Sequence, residues 1–143
     1  MRKNFLKLDN YGYCLLRRPS LDRELTIAAV AGAAILVRRD QRQIKTTLCA
    51  ITASEIIKLC FLRPRPYQKH NHLRPSRQWR RSSSFPSSHS AGAFAAAVAT
   101  RKPPLIALGA VLSLTRVSGG QHYPSDVIGG ALIGTAVGLV LSK

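Results

Sequence analysis

Three separated stretches of the chain carry side chains whose types and spacing suit chemistry on an anion. The first contains Lys58, then Arg65 and Pro66 in a K-x6-R-P arrangement. Lysine offers a compact point charge and arginine a planar fork of donors, and both grip phosphate oxygens. The second reads Pro86-Ser87-Ser88-His89 at the head of an apolar run. A helix N-terminus there presents unpaired backbone N–H groups to an anion, and Ser87 adds a hydroxyl donor. The third holds Thr115-Arg116, then His122 and Asp126 four residues apart. That spacing brings a carboxylate under the imidazole, which fixes the tautomer and frees the other ring nitrogen to attack.

Each stretch also has a plainer reading. Lys58 can snorkel with Glu55 as its i, i+3 partner. The serines can be a simple cap with a surface histidine. His122 and Asp126 can cap a helix. What weighs against three plain readings is the charge around them. The 143 residues include 22 Lys+Arg and only 6 Asp+Glu. Asp9, Asp22, Glu24, Asp40 and Glu55 come early, and the next acidic residue is Asp126. From Leu59 to Ser125 every charged side chain is therefore cationic, so no carboxylate there repels a multiply charged anion.

Such a balance fits nucleic acid, anionic lipid or a phosphorylated substrate. A nucleic-acid binder would explain the charge but leave Lys58, His89, His122 and Asp126 without a role, so no nucleic-acid partner is expected. Cys14, Cys49 and Cys60 form no CxxC pair and no Cys/His spacing, which argues against zinc. No cluster suggests another metal. Phe5–Leu16 is interrupted by Lys7, Asp9 and Asn10, so no secretory signal is read there.

The elements that must position these groups are helices. After a basic segment, 1–23, expected to lie on a membrane surface, residues 24–143 read as one helical domain. Its five apolar runs are Thr26–Val37, Ile44–Leu62, Pro86–Thr100, Leu105–Val117 and Val127–Leu141. They are short against the ~20 residues of a typical span, yet nearly free of charge and without a clear polar face. Gly130, Gly134 and Gly138 provide small-xxx-small spacing for close helix contact. The expected fold class is all-α, a compact transmembrane bundle of about five helices. Alternating spans would place the ends of runs two and four beside the starts of runs three and five, which gathers all three stretches on one face.

Together the stretches KLCFLRPRP, PSSH and TRVSGGQHYPSD resemble the type 2 phosphatidic acid phosphatase superfamily, which also contains bacterial acid phosphatases and vanadium haloperoxidases. Its three-part motif is K-x6-R-P, P-S-G-H and S-R-x5-H-x3-D, and the resemblance covers about residues 44–141. It implies that His122 is the nucleophile that forms a phosphohistidine, oriented by Asp126. His89 would protonate the leaving oxygen and then activate water. Lys58, Arg65 and Arg116 would hold the phosphate oxygens, with Ser87 and the backbone N–H of Ser88. No metal or cofactor is implied.

The expected activity is metal-independent hydrolysis of a lipid phosphate or isoprenyl pyrophosphate by a multi-pass protein of the bacterial inner membrane, its site facing outward. Alternatives are a relative of the soluble acid phosphatases and haloperoxidases, a catalytically weak member, or a basic anion-binding membrane protein. Ser88 departs from the motif glycine and Thr115 from its serine. Five runs stand where the membrane branch has six helices, which makes a homo-oligomer an expectation. Lys69, His70, His72, Arg74, Arg77, Trp79, Arg80 and Arg81 read either as a headgroup-recruiting lid or as a plain basic loop.

Overall fold

The computed structural model describes residues 41–69 and 83–142. The 1–23 segment, the run Thr26–Val37 and most of the basic linker, Trp79 included, lie outside the described residues. Within them the fold is all-helical, as expected. The helices are α1 (Gln41–Cys60), α2 (Pro66–Lys69), α3 (Ser88–Thr100), α4 (Pro103–Ser118) and α5 (Pro124–Leu141).

Helix boundaries follow local chemistry. Pro103 and Pro124 sit in the first turns of α4 and α5, where a missing N–H costs nothing. Pro86 does not open α3. It follows a cis Phe85–Pro86 bond and precedes the cap, Ser87, whose hydroxyl accepts the Ser90 N–H at 3.4 Å. Run two ends at Cys60, ahead of Pro64. The one-turn α2 was not expected; the Arg65 carbonyl accepts the Gln68 N–H at 3.0 Å to close it.

α3 is central and packs against α5, α1 and α4, with its largest interface to α5. Each long helix turns one stripe inward. In α1 the stripe is Gln43, Thr46, Ala50, Ser54 and Lys58; in α5 it is Asp126, Val127, Gly130, Gly134 and Gly138. These spacings of three and four residues mark one helical face. Lys58 and Asp126 therefore stand at the ends of packing stripes, so the packing that buries the stripe also aims the charge.

The buried stripes are made of small and polar residues, while Leu48, Ile56, Leu59, Leu114, Ile128, Leu132 and Leu139 are exposed. This reverses the distribution in water-soluble domains. A Cβ at Gly130 or Gly134 would lie well inside contact distance of the Ser87 and Ala91 carbonyl oxygens, so the α3 and α5 backbones meet directly. Among the described helices, α5 alone is long and apolar enough to cross a membrane; α4 is apolar but shorter. α1 is 20 residues long and carries Arg42, Lys45, Glu55 and Lys58.

Candidate active site

The three motif stretches meet at one end of the bundle. The first joins the second through Lys58, whose Nζ donates to Ser88 Oγ across the α1–α3 seam. The second joins the third through the Ser87 N–H, which donates to the Asp126 carbonyl at 2.9 Å. The first joins the third at Arg65, whose Nη1 lies 3.3 Å from His122 Nε2 and 3.1 Å from the Gln121 carbonyl. Lys58, Arg65, His122 and Asp126 are all buried.

His122 sits in the turn between α4 and α5. Its backbone N–H donates to the Arg116 carbonyl at 3.1 Å, which fixes the ring's approach. Nδ1 lies 2.8 Å from the Ser84 carbonyl oxygen. A carbonyl only accepts, so Nδ1 carries the proton. In the neutral ring Nε2 then holds a lone pair, and that lone pair faces Arg65. Burial holds the His122 pKa below the usual imidazole value, and the Arg65 cation adds to this; Asp126 and the Ser84 carbonyl oppose it. The ring is thus poised neutral, as a nucleophile must be.

The Asp126 carboxylate has several partners. Oδ2 accepts the Tyr123 N–H at 2.8 Å, a reciprocal helix cap, and stands 3.6 Å from His122 Nδ1. Oδ1 accepts from Arg63 Nη1 at 2.7 Å. The direct acceptor for the ring N–H is the backbone of Ser84, with Asp126 as the charge beside it. Asp126 therefore caps α5 and stands beside the imidazole, while the ring N–H expected to go to its carboxylate is directed at the Ser84 carbonyl.

At the α1 edge, Lys58 Nζ donates to Glu55 Oε1 at 2.6 Å, and Ser88 Oγ donates to the same oxygen. Ser87 is occupied locally: its hydroxyl caps α3 and receives the Ser90 hydroxyl at 3.2 Å. His89 follows on the first turn of α3 and is half-buried. Arg116 Nη1 donates to Gln121 Oε1 at 3.2 Å in the turn that carries His122. Among these described side chains, four cations (Lys58, Arg63, Arg65, Arg116) stand with two carboxylates (Glu55, Asp126). Two positive charges are left in surplus, which matches a dianion.

Two contributors were not singled out from sequence, and a third was read only in part. Arg63 reaches Asp126, Ser125 Oγ at 2.6 Å and the face of Tyr123, 4.2 Å from its centroid. The signal available was the repeated Arg-Pro of Arg63-Pro64-Arg65-Pro66, since each proline holds the residue before it extended. The Ser84 carbonyl carries no residue-type signal at all. Glu55 was read as a partner of Lys58 alone, without its link to Ser88. No three His, Cys, Asp or Glu side chains cluster as a metal site among the described residues.

An all-helical bundle with a neutral, buried histidine facing a cluster of cations defines a protein built to handle a compact anion. Residues 42–143 match the PAP2 superfamily, and the chain belongs to it. It is 30% identical over 106 residues to undecaprenyl-diphosphatase BcrC of Bacillus subtilis, an alignment covering 68% of this chain and 53% of that protein. It is 34% identical over 124 residues to decaprenylphosphoryl-5-phosphoribose phosphatase of Mycobacterium tuberculosis, covering 82% of this chain and 69% of that protein. The chain thus spans about half the length of the Bacillus relative.

Proposed function

We propose that the protein is a membrane phosphatase that removes a phosphoryl group from a polyprenyl phosphate or diphosphate through a phosphohistidine. The observation that carries this reading is the His122 ring: its Nδ1–H is 2.8 Å from the Ser84 carbonyl and its Nε2 faces Arg65. Both relatives are named for substrates bearing a polyprenyl chain and phosphate. The outward-facing Leu and Ile side chains support a lipid surround.

In this reaction His122 Nε2 attacks phosphorus. The Nε2–P bond forms as the bond to the leaving oxygen breaks, and His89 gives that oxygen its proton. Lys58, Arg65, Arg116 and the Ser88 N–H hold the three equatorial oxygens, where charge accumulates in the transition state. His89, now the base, takes a proton from water; the water oxygen attacks phosphorus, and Nε2 leaves. Inorganic phosphate is released and the neutral ring returns. The protein would be multi-pass, with the site at the outer face of a bacterial inner membrane, where α3 and α5 begin.

The test is phosphate release from farnesyl phosphate and farnesyl diphosphate in detergent, with chelator present and vanadate as inhibitor. Release by the wild type, absent in His122→Ala, is expected. A folded wild type that releases none from a panel of lipid phosphates and diphosphates ends the enzyme reading, and an active His122→Ala ends the nucleophile assignment.

A further inference from the structure

Arg63 lies between Lys58 and Arg65 in sequence, and its side chain reaches the residues around His122. Its Nη1 donates to Asp126 Oδ1 at 2.7 Å and to Ser125 Oγ at 2.6 Å. Its guanidinium carbon lies 4.2 Å from the centroid of Tyr123, the residue after His122. Its main chain acts on the other side of the ring. The Arg63 carbonyl accepts the Ser84 N–H at 2.9 Å, and its own N–H donates to Ser83 Oγ at 3.2 Å. Ser84 is the residue whose carbonyl takes the Nδ1–H of His122. Both groups that face Nδ1, the Ser84 carbonyl and the Asp126 carboxylate, are thus held by one residue.

We propose that Arg63 is a positioning residue for the nucleophile: its backbone sets the Ser84 carbonyl and its side chain sets, and partly neutralises, the Asp126 carboxylate. The proposal rests on the phosphatase reading for its kinetic arm only. The Arg63 side chain is 18% exposed and that of Asp126 0%, so the pair lies where water screens little. Arg63 acts on His122 through Asp126, Ser84 and the Tyr123 ring.

The charge consequence has a definite sign. The elements packed around His122 contribute Asp126 from α5, Arg116 from the end of α4, Arg63 and Arg65 from the α1–α3 connection, Lys58 and Glu55 from the end of α1, and His89 from α3. Among them, Arg63 has its charge bonded to the carboxylate beside Nδ1. Remove it, and the full Asp126 charge acts on the imidazole. His122 then takes up its proton at higher pH, because the Asp126 charge raises its affinity for one.

Three full-length proteins in detergent decide the matter: wild type, Arg63→Gln and Arg63→Lys. In Arg63→Gln, kcat should fall about 30-fold with KM changed less than about threefold, because ring placement and not phosphate grip is lost. The acidic limb of kcat/KM should move up by about one pH unit. Arg63→Lys keeps the charge but not the fork, so its limb should stay near wild type while kcat still falls. A merely structural role would lower activity in both variants without separating their limbs, and that result overturns the proposal.

Nitrogen-15 NMR of labelled histidine, with His122 assigned from His122→Gln, reads the same titration without turnover. A wild type inactive in every assay would end the phosphatase reading, while a His122 titration unmoved by Arg63→Gln would end the positioning proposal. Should Arg63→Gln fail to fold, a folded Arg63→Lys with undiminished kcat overturns the proposal on its own.

Discussion

Asp126 and Glu55 carry the same charge at opposite edges of one pocket, and their surroundings differ in every respect. Asp126 is fully buried and receives an arginine, a backbone amide and the near edge of an imidazole. Glu55 has a side chain that is 50% exposed, and its Oε1 accepts from Lys58 and from Ser88. A carboxylate that steadies a nucleophile must not move, and burial with several donors locks it. A carboxylate that sits on a phosphate-gripping lysine occupies the place a substrate oxygen would take. Half in water, it can turn aside at little cost. On the proposed reading, one acidic group is a fixture and the other a stand-in for the ligand's charge.

Substitution should pull the two edges apart. His122→Ala removes the group both edges serve, and phosphate release should fall by at least about 10⁴-fold; the thermal midpoint at neutral pH should also fall, since the Ser84 carbonyl loses its buried donor. Asp126→Asn should lower kcat by about 10²–10³-fold, since the charge that stabilises the forming imidazolium is gone. It should also lower the melting temperature, because Arg63 loses its buried anion. Equal losses in Glu55→Gln would break the distinction between the two carboxylates.

Instead Glu55→Gln should keep kcat within about twofold and lower KM for a lipid phosphate several-fold, as Lys58 is released. The gain should be larger for a diphosphate than for a monophosphate, by roughly fivefold in kcat/KM, the effect of about 1 kcal/mol of removed repulsion. Ser88→Gly should shift KM in the same direction by less, since it removes only the hydroxyl that bridges Lys58 and Glu55.

The pH profile sharpens the fixed edge. Burial lowers the His122 pKa, so its neutral form persists below the usual imidazole value of 6.5. The acidic limb of kcat/KM should therefore lie below that value. Stability follows the same sign. Between the unfolded value and the lowered folded one, the unfolded chain binds more protons. The contribution of neutral His122 is complete above 6.5 and declines as pH falls toward the folded value. Thermal midpoints of wild type and His122→Gln should therefore converge on acidification.

The polar residues of this pocket were legible in sequence because their types and spacing are constrained by chemistry. Lys58, Arg65, Ser88, His122 and Asp126 do meet, and the stripe periodicity of α1 and α5 explains why. What escaped notice depends on tertiary packing. The Ser84 carbonyl belongs to the main chain, which every residue shares. Arg63 lay among the unspecified positions of K-x6-R-P, and only folding shows that it binds the Asp126 carboxylate. Pro86 was read as a helix start because proline suits a first turn, but the capping hydroxyl of Ser87 sets the boundary two residues later. The exchange between Glu55 and Ser88 needs two helices to touch, which no spacing within one helix can report.

Gly130 and Gly134 leave the α5 main chain resting on the carbonyl oxygens of α3. The gap between His122 on one side and Ser88 and His89 on the other is therefore gauged by backbone atoms, which are the same in every sequence. Nothing on the outward faces enters that measurement. In the lipid surround proposed above, Leu132, Leu139 and Ile128 could change to suit a thicker or thinner bilayer while the contact between the two main chains stays as it is. Fit to the surroundings and spacing at the site would then vary independently across generations.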